Sequence, residues 1–109
     1  MAKLETSLTG NFDQILDRIE NEILYGSVSA TLEDASDFRC SSSRCSVRVF
    51  ERYSYIGGNR VSLNVVLFQG EDGKIDLSAI SSGGSQAMFF KFNTFGEEAF
   101  LDKLRELLD

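Results

Sequence analysis

The stretch from Ser82 to Phe100 constrains this chain most. It joins a glycine turn, Ser82-Gly83-Gly84-Ser85-Gln86, to the densest aromatic run in the sequence and then to a helix start. Met88, Phe90 and Phe92 alternate with Ala87, Phe89 and Lys91, the two-residue period of an extended strand. Thr94-Phe95-Gly96-Glu97 follows with capping-box spacing, in which the Thr94 hydroxyl accepts from the Glu97 amide and the Glu97 carboxylate from the Thr94 amide. Phe100, Leu101, Leu104, Leu107 and Leu108 then recur at helical spacing. The pattern predicts a strand, a sharp corner and a C-terminal helix that returns over a sheet. Because Phe89 and Phe90 face opposite ways in such a strand, one aromatic set needs a second layer, a ligand or a second subunit to cover it.

The preceding elements read in order. Leu4, Thr6 and Leu8 alternate with Lys3, Glu5 and Ser7, a weak edge-strand signal broken by Gly10. Asn11 is placed to cap a helix, with Asp13 in its first turn. Phe12, Ile15, Leu16, Ile19 and Ile23 form its apolar stripe and Gly26 its stop. Ser27 to Glu33 reads as a strand, Glu33 to Asp37 as a polar turn, Phe38 to Cys40 as a short return strand and Ser41 to Ser43 as an irregular link. Arg44 to Ile56 is a long strand. Gly57-Gly58-Asn59 is a hairpin turn, Arg60 to Gln69 a central strand, Gly70-Glu71-Asp72-Gly73 a second turn and Lys74 to Ser82 a further strand.

The long strand has two faces. Cys45, Val47, Val49, Glu51, Tyr53 and Tyr55 make the face expected to look inward, while Arg44, Ser46, Arg48, Phe50, Arg52 and Ser54 make the other. Glu51 is the anomaly, since an inward carboxylate is costly unless paired. It reads either as an acid in a cavity or as a residue turned to solvent by a bulge. With Tyr53, Tyr55 and Phe89 it makes the candidate ligand-binding set. Arg44, Arg48 and Arg52 form one row, readable as an anion-recognising strip joined by Arg39 or Arg60, or as a solvated face with acidic cross-strand partners such as Asp76. Val66 and Phe68 make the second face of the central strand apolar, and with Phe50 they form the candidate interface for a homodimer.

The totals exclude several classes. A chain of 109 residues forms one domain, residues 1–109, and buries roughly 60–70% of its unfolded surface. The formal charge of −6 disfavours nucleic acid as a partner. No apolar run approaches the roughly 20 residues of a membrane span, and the N-terminus lacks a signal-peptide pattern, so the expected location is cytoplasmic. There is no histidine, hence no case for a nucleophilic triad. Ser82-Gly83-Gly84-Ser85-Gln86 lacks the lysine and the helix context of a nucleotide loop. Cys40 and Cys45 are the only cysteines and fall short of the four ligands of a zinc site, so two free thiols and no metal or cofactor are expected.

Asn59-Arg60-Val61-Ser62-Leu63, Ser82-Gly83-Gly84-Ser85-Gln86-Ala87 and Asn93-Thr94-Phe95-Gly96-Glu97-Glu98-Ala99-Phe100-Leu101 together resemble an uncharacterised family of small proteins from low-GC Gram-positive bacteria, over nearly the whole chain. The resemblance implies a bacterial cytoplasmic protein and supplies no catalytic residues. The expected fold is α+β, an antiparallel sheet of about five or six strands with an N-terminal and a C-terminal helix on one face. This element order is similar to a shortened helix-grip domain, the layout of START-like lipid and hormone binders. Two functions follow as expectations. One is a non-enzymatic module that takes a small apolar or amphipathic ligand between sheet and C-terminal helix. The other is a homodimeric, chaperone-like interaction module that uses an apolar sheet face. A closed apolar cavity would favour the first and an exposed apolar face the second.

Overall fold

The computed structural model describes residues 2–26, 30–54 and 59–83. They form strand β1 (Ala2–Leu8), helix α1 (Phe12–Gly26) and strands β2 (Thr31–Cys40), β3 (Ser43–Ser54), β4 (Asn59–Gln69) and β5 (Ile75–Gly83). The five strands make one antiparallel sheet in the order β1-β5-β4-β3-β2. Together with α1 this is an α+β arrangement. The expected C-terminal helix with its Thr94 cap, the aromatic strand before it, and the Gly57-Gly58 turn lie outside the described residues.

Helix α1 starts where its cap predicts. The Asn11 side-chain oxygen accepts from the Gln14 amide at 3.0 Å, and the Asn11 carbonyl accepts from the Ile15 amide at 3.0 Å. Phe12, Leu16, Ile19 and Ile23, spaced by three and four residues, are the buried stripe. They meet Val61, Leu63, Val65 and Leu67 of β4, Ile75, Leu77 and Ala79 of β5, and Phe50 of β3 in one core. Burying each large apolar side chain contributes roughly 1.5–3 kcal/mol, which is why one face of the sheet is fixed beneath the helix. Leu4 and Leu8 of the edge strand β1 pack against the same core.

Two sequence expectations are corrected. The polar stretch Glu33–Asp37 is not a turn but part of β2, a ten-residue strand exposed along its whole length. Its register to β3 shifts between Leu32 and Asp34, so Glu33 is an extra residue in the strand. Strand β2 lies at the sheet edge with little to bury, and polar residues are therefore tolerated there without ending it. The link to β3 is a two-residue turn at Ser41 and Ser42, with Ser41 at φ 54°.

The second correction concerns which face of β3 is inward. Pairing sets Phe50 opposite Leu63, Arg48 opposite Val65 and Ser46 opposite Leu67, all on the helix side. Phe50 is completely buried, Ser46 and Arg48 are buried too, and Cys45, Val47, Val49, Glu51 and Tyr53 face the other way. The assignment by hydrophobicity failed because arginine stems pack like apolar chains when their heads find partners.

Gly83 ends β5 opposite Val61. Its φ is +153°, and a Cβ there would lie 2.5 Å from the Arg60 carbonyl oxygen and 2.8 Å from the Val61 Cα. Gly83→Ala is therefore expected to cost about 1–3 kcal/mol in urea denaturation. Asn11→Ala is expected to cost about 1 kcal/mol by the same measurement through loss of the cap. A neutral result at either position would show that the backbone relaxes away from the geometry described.

Candidate functional site

Two members of the arginine row, Arg44 and Arg48, are ion-paired on the helix side of the sheet. Arg44 donates to both Asp13 carboxylate oxygens, at 2.9 and 3.2 Å, and its guanidinium stacks on Phe12 with its carbon 4.0 Å from the ring centre. Arg48 donates from Nε to Glu20 at 2.6 Å and from Nη1 to Asp37 at 3.1 Å and to the Ser36 and Val47 carbonyls. Burial works against the Arg48 charge, but the bonds to Glu20 and Asp37 outweigh it and its pKa is raised. The acidic partners of Arg44 and Arg48 are thus Asp13, Glu20 and Asp37 rather than Asp76. Arg60 cannot join the row, because Arg60 pairs with Tyr53 on the opposite face and bonds Glu51 at 3.1 Å. Glu51 itself is half-buried and ion-paired across β3 and β4, which removes the anomaly.

The face away from α1 carries the candidate site. Cross-strand registers align Phe38, Cys45 and Phe68 in one row over β2, β3 and β4, and Ser36, Val47 and Val66 in the next. Val49 and Ile80 lie further along the same face. Phe38 and Phe68 are 62% and 43% exposed, although both are large apolar rings. At the β2–β3 turn they border an open cleft of about 340 Å³, completed by Arg39, Cys40, Ser43, Arg44 and Cys45. That volume is within the range of apolar binding pockets.

Of the residues singled out from the sequence, Val66 and Phe68 lie on this face and Phe50 does not. Phe50 is enclosed in the core and cannot contact a partner. Glu51 and Tyr53 occupy the far end of β3 on the same face as Phe68, whereas Tyr55 and Phe89 lie outside the described residues. Cys40 and Cys45 are free thiols on the cleft side, the first exposed and the second half-buried. Among the described residues no three histidine, cysteine, aspartate or glutamate side chains group as metal ligands, and no helix is long and apolar enough to cross a membrane. Phe38 was missed as a site residue because its neighbours Asp37 and Arg39 are charged. Its alternation with Cys40, read through a two-residue turn at Ser41 and Ser42, would have placed it beside Cys45.

These features define an α+β domain whose sheet has one face packed by a helix and a second face, apolar toward the β2–β3 turn and polar elsewhere, that the other described elements do not cover. Residues 1–109 match the model of the family of unknown function DUF6054, and the chain belongs to that family. No curated protein and no solved structure matches the chain.

Asp37 is held below the usual carboxylate range by the Ser46 hydroxyl, which donates to it at 2.6 Å, and then by Arg48. Asp13 is held low chiefly by its bonds from Arg44. A depressed folded pKa gives stability that is present above the unfolded value, about 3.9, and is lost as pH falls through the folded value. Stability should therefore decline on acidification below about pH 4, and decline less steeply in Asp37→Asn. Chemical denaturation across that pH range measures this; an acid limb unchanged by the substitution would show that Arg48 and Asp37 are not paired in solution.

Proposed function

We propose that the protein is a non-catalytic protein-interaction module whose working surface is the sheet face opposite α1. The observation that carries this reading is the exposed pair of rings, Phe38 and Phe68, set in a row with Cys45 and backed by Val47 and Val66. An antiparallel sheet with one solvated face ordinarily alternates apolar inward and polar outward. Here the outward set of β3 and β4 is itself apolar toward the β2–β3 turn, at Cys45, Val47, Val49, Val66 and Phe68, the feature expected of an association surface rather than of solvent. The pocket expected between the sheet and the C-terminal helix involves residues outside the described ones. The cleft's volume favours a second reading, in which a small apolar or amphipathic ligand occupies it.

If the face serves association, its rings contribute little to the chain's own stability. Phe38→Ser and Phe68→Ser are expected to change unfolding free energy by less than about 1 kcal/mol, against the 3–5 kcal/mol of a core phenylalanine. Core-like losses in both variants would sink this reading. An anilinonaphthalene sulfonate probe that saturates at one per chain in a monomeric protein, and is lost in Phe38→Ser, would favour the small ligand instead.

A further inference from the structure

We infer that Cys40 and Cys45 form a two-thiolate site for a soft monovalent cation, with Cu(I) as the ion that fits it. The site does not depend on the reading of the open face as an association surface. It is built by the β2–β3 hairpin. The register sets Cys40 opposite Ser43 and Cys45 opposite Phe38, so the two cysteines share one face, a diagonal step apart on neighbouring strands. Both are free thiols that line the cleft at the hairpin end, Cys40 exposed and Cys45 half-buried. They are the only cysteines of the chain, so all of its thiol chemistry is confined to this cleft.

Separation decides what this pair can do. Diagonal neighbours in an antiparallel pair have Cα atoms roughly 7–8 Å apart. A disulfide ordinarily needs Cα atoms within about 6.8 Å and sulfurs about 2.05 Å apart, so a direct bond would require the strands to move. Two metal–thiolate bonds of about 2.3 Å in line span about 4.6 Å between sulfurs. Rotation about the two Cα–Cβ bonds turns the sulfurs toward each other and reaches that span with the strands in place. The diagonal is thus too long for a disulfide and suited to one bridging ion.

Ligand number selects the ion. Zinc takes four ligands, and among the described residues no three histidine, cysteine, aspartate or glutamate side chains group to supply them. A monovalent ion with a filled d shell is satisfied by two thiolates in line, and soft sulfur ligands favour Cu(I). The cleft supplies the surroundings. Phe38 and Phe68 flank Cys45 from β2 and β4 as apolar walls, which limit the access of water to the ion. Two thiolates around one positive charge leave one net negative charge. Arg39 and Arg44 border the same cleft with positive charge, Arg44 being shared with Asp13. On binding, two S–H bonds are lost, two S–Cu bonds form and two protons leave to solvent. Copper enters and stays as Cu(I), so the step needs no oxidant or reductant.

Anaerobic titration of the full chain with Cu(I) alone, in competition with the chromophoric chelator bicinchoninate, tests the inference. Wild type is measured beside Cys40→Ser and Cys45→Ser, with thermal unfolding of all three as the control. The expected result is one ion per chain, with two protons released for each ion bound. Each variant should lose affinity about a hundredfold or more, because even the outer partners of a metal ligand change affinity by roughly ten- to a hundredfold. Cys40 is exposed on an edge strand, so Cys40→Ser should melt as the wild type does. A wild type that takes no Cu(I) from the chelator overturns the inference. A variant that keeps the wild-type affinity overturns it equally, since one thiol or another group then holds the ion. Half an ion per chain overturns it as well, by dividing the ligands between two copies.

Discussion

Arg48 holds the two faces of this sheet apart in character. Its guanidinium is nearly enclosed on the helix side, where an unpaired charge could not persist. Glu20 brings α1 to it, Asp37 brings β2, and the Ser36 and Val47 carbonyls take further hydrogens. Removing either carboxylate leaves a buried donor short of a partner, a larger cost than the bond itself contributes. The cluster therefore acts less as a source of stability than as a condition on geometry. Only with α1 on this side of β3 is the charge satisfied, and that placement leaves Cys45, Val47 and Val49 on the face that α1 does not reach.

The elements that rest on local chemistry were legible in the sequence. Asn11 capped its helix, the apolar stripe from Phe12 to Ile23 was buried, and Gly70 to Gly73 turned the chain, with the Gly73 amide donating to the Gly70 carbonyl at 3.1 Å. Val61, Leu63, Val65 and Leu67 also shared one face, as their alternation required, and that wholly apolar set was the buried one. Each of these signals is complete within a few residues, so nothing distant could overrule it. The strand β1, weak by pattern, was right because an edge strand needs only one apolar face.

Strands β2 and β3 were harder for a shared reason. A two-residue period says which residues lie together, not which set faces the helix. In β3 the set containing Phe50 also contains Arg44, Arg48 and Arg52, and by composition it looked like the wet side. In β2 the acids that supply Asp37 to Arg48 looked like a turn. Both errors come from scoring charged residues one at a time. As a paired set they are interior chemistry, because Asp37, a strand breaker by composition, is one of the two carboxylates that allow Arg48 in the core. The site inherited both errors: Phe50 was counted as outward, and Phe38 was not considered.

The sequence did hold the information, in a spacing shared by two elements. Asp13 and Glu20 are seven residues apart on α1, two turns and about 10.5 Å along the axis, and so on one flank of the stripe that contains Phe12 and Ile19. Arg44 and Arg48 are four residues apart on β3, about 13.6 Å. Long guanidinium stems absorb the difference of about 3 Å, and the two ion pairs form side by side. The opposite face of β3 offers α1 no such match, since its charged member is a single acid, Glu51, which Arg60 already holds. Matching the acids of the helix to the arginines of the strand thus selects one packing of two. It puts Phe50 inside and leaves Phe38, Cys45 and Phe68 as the apolar row that only something beyond the described elements can cover.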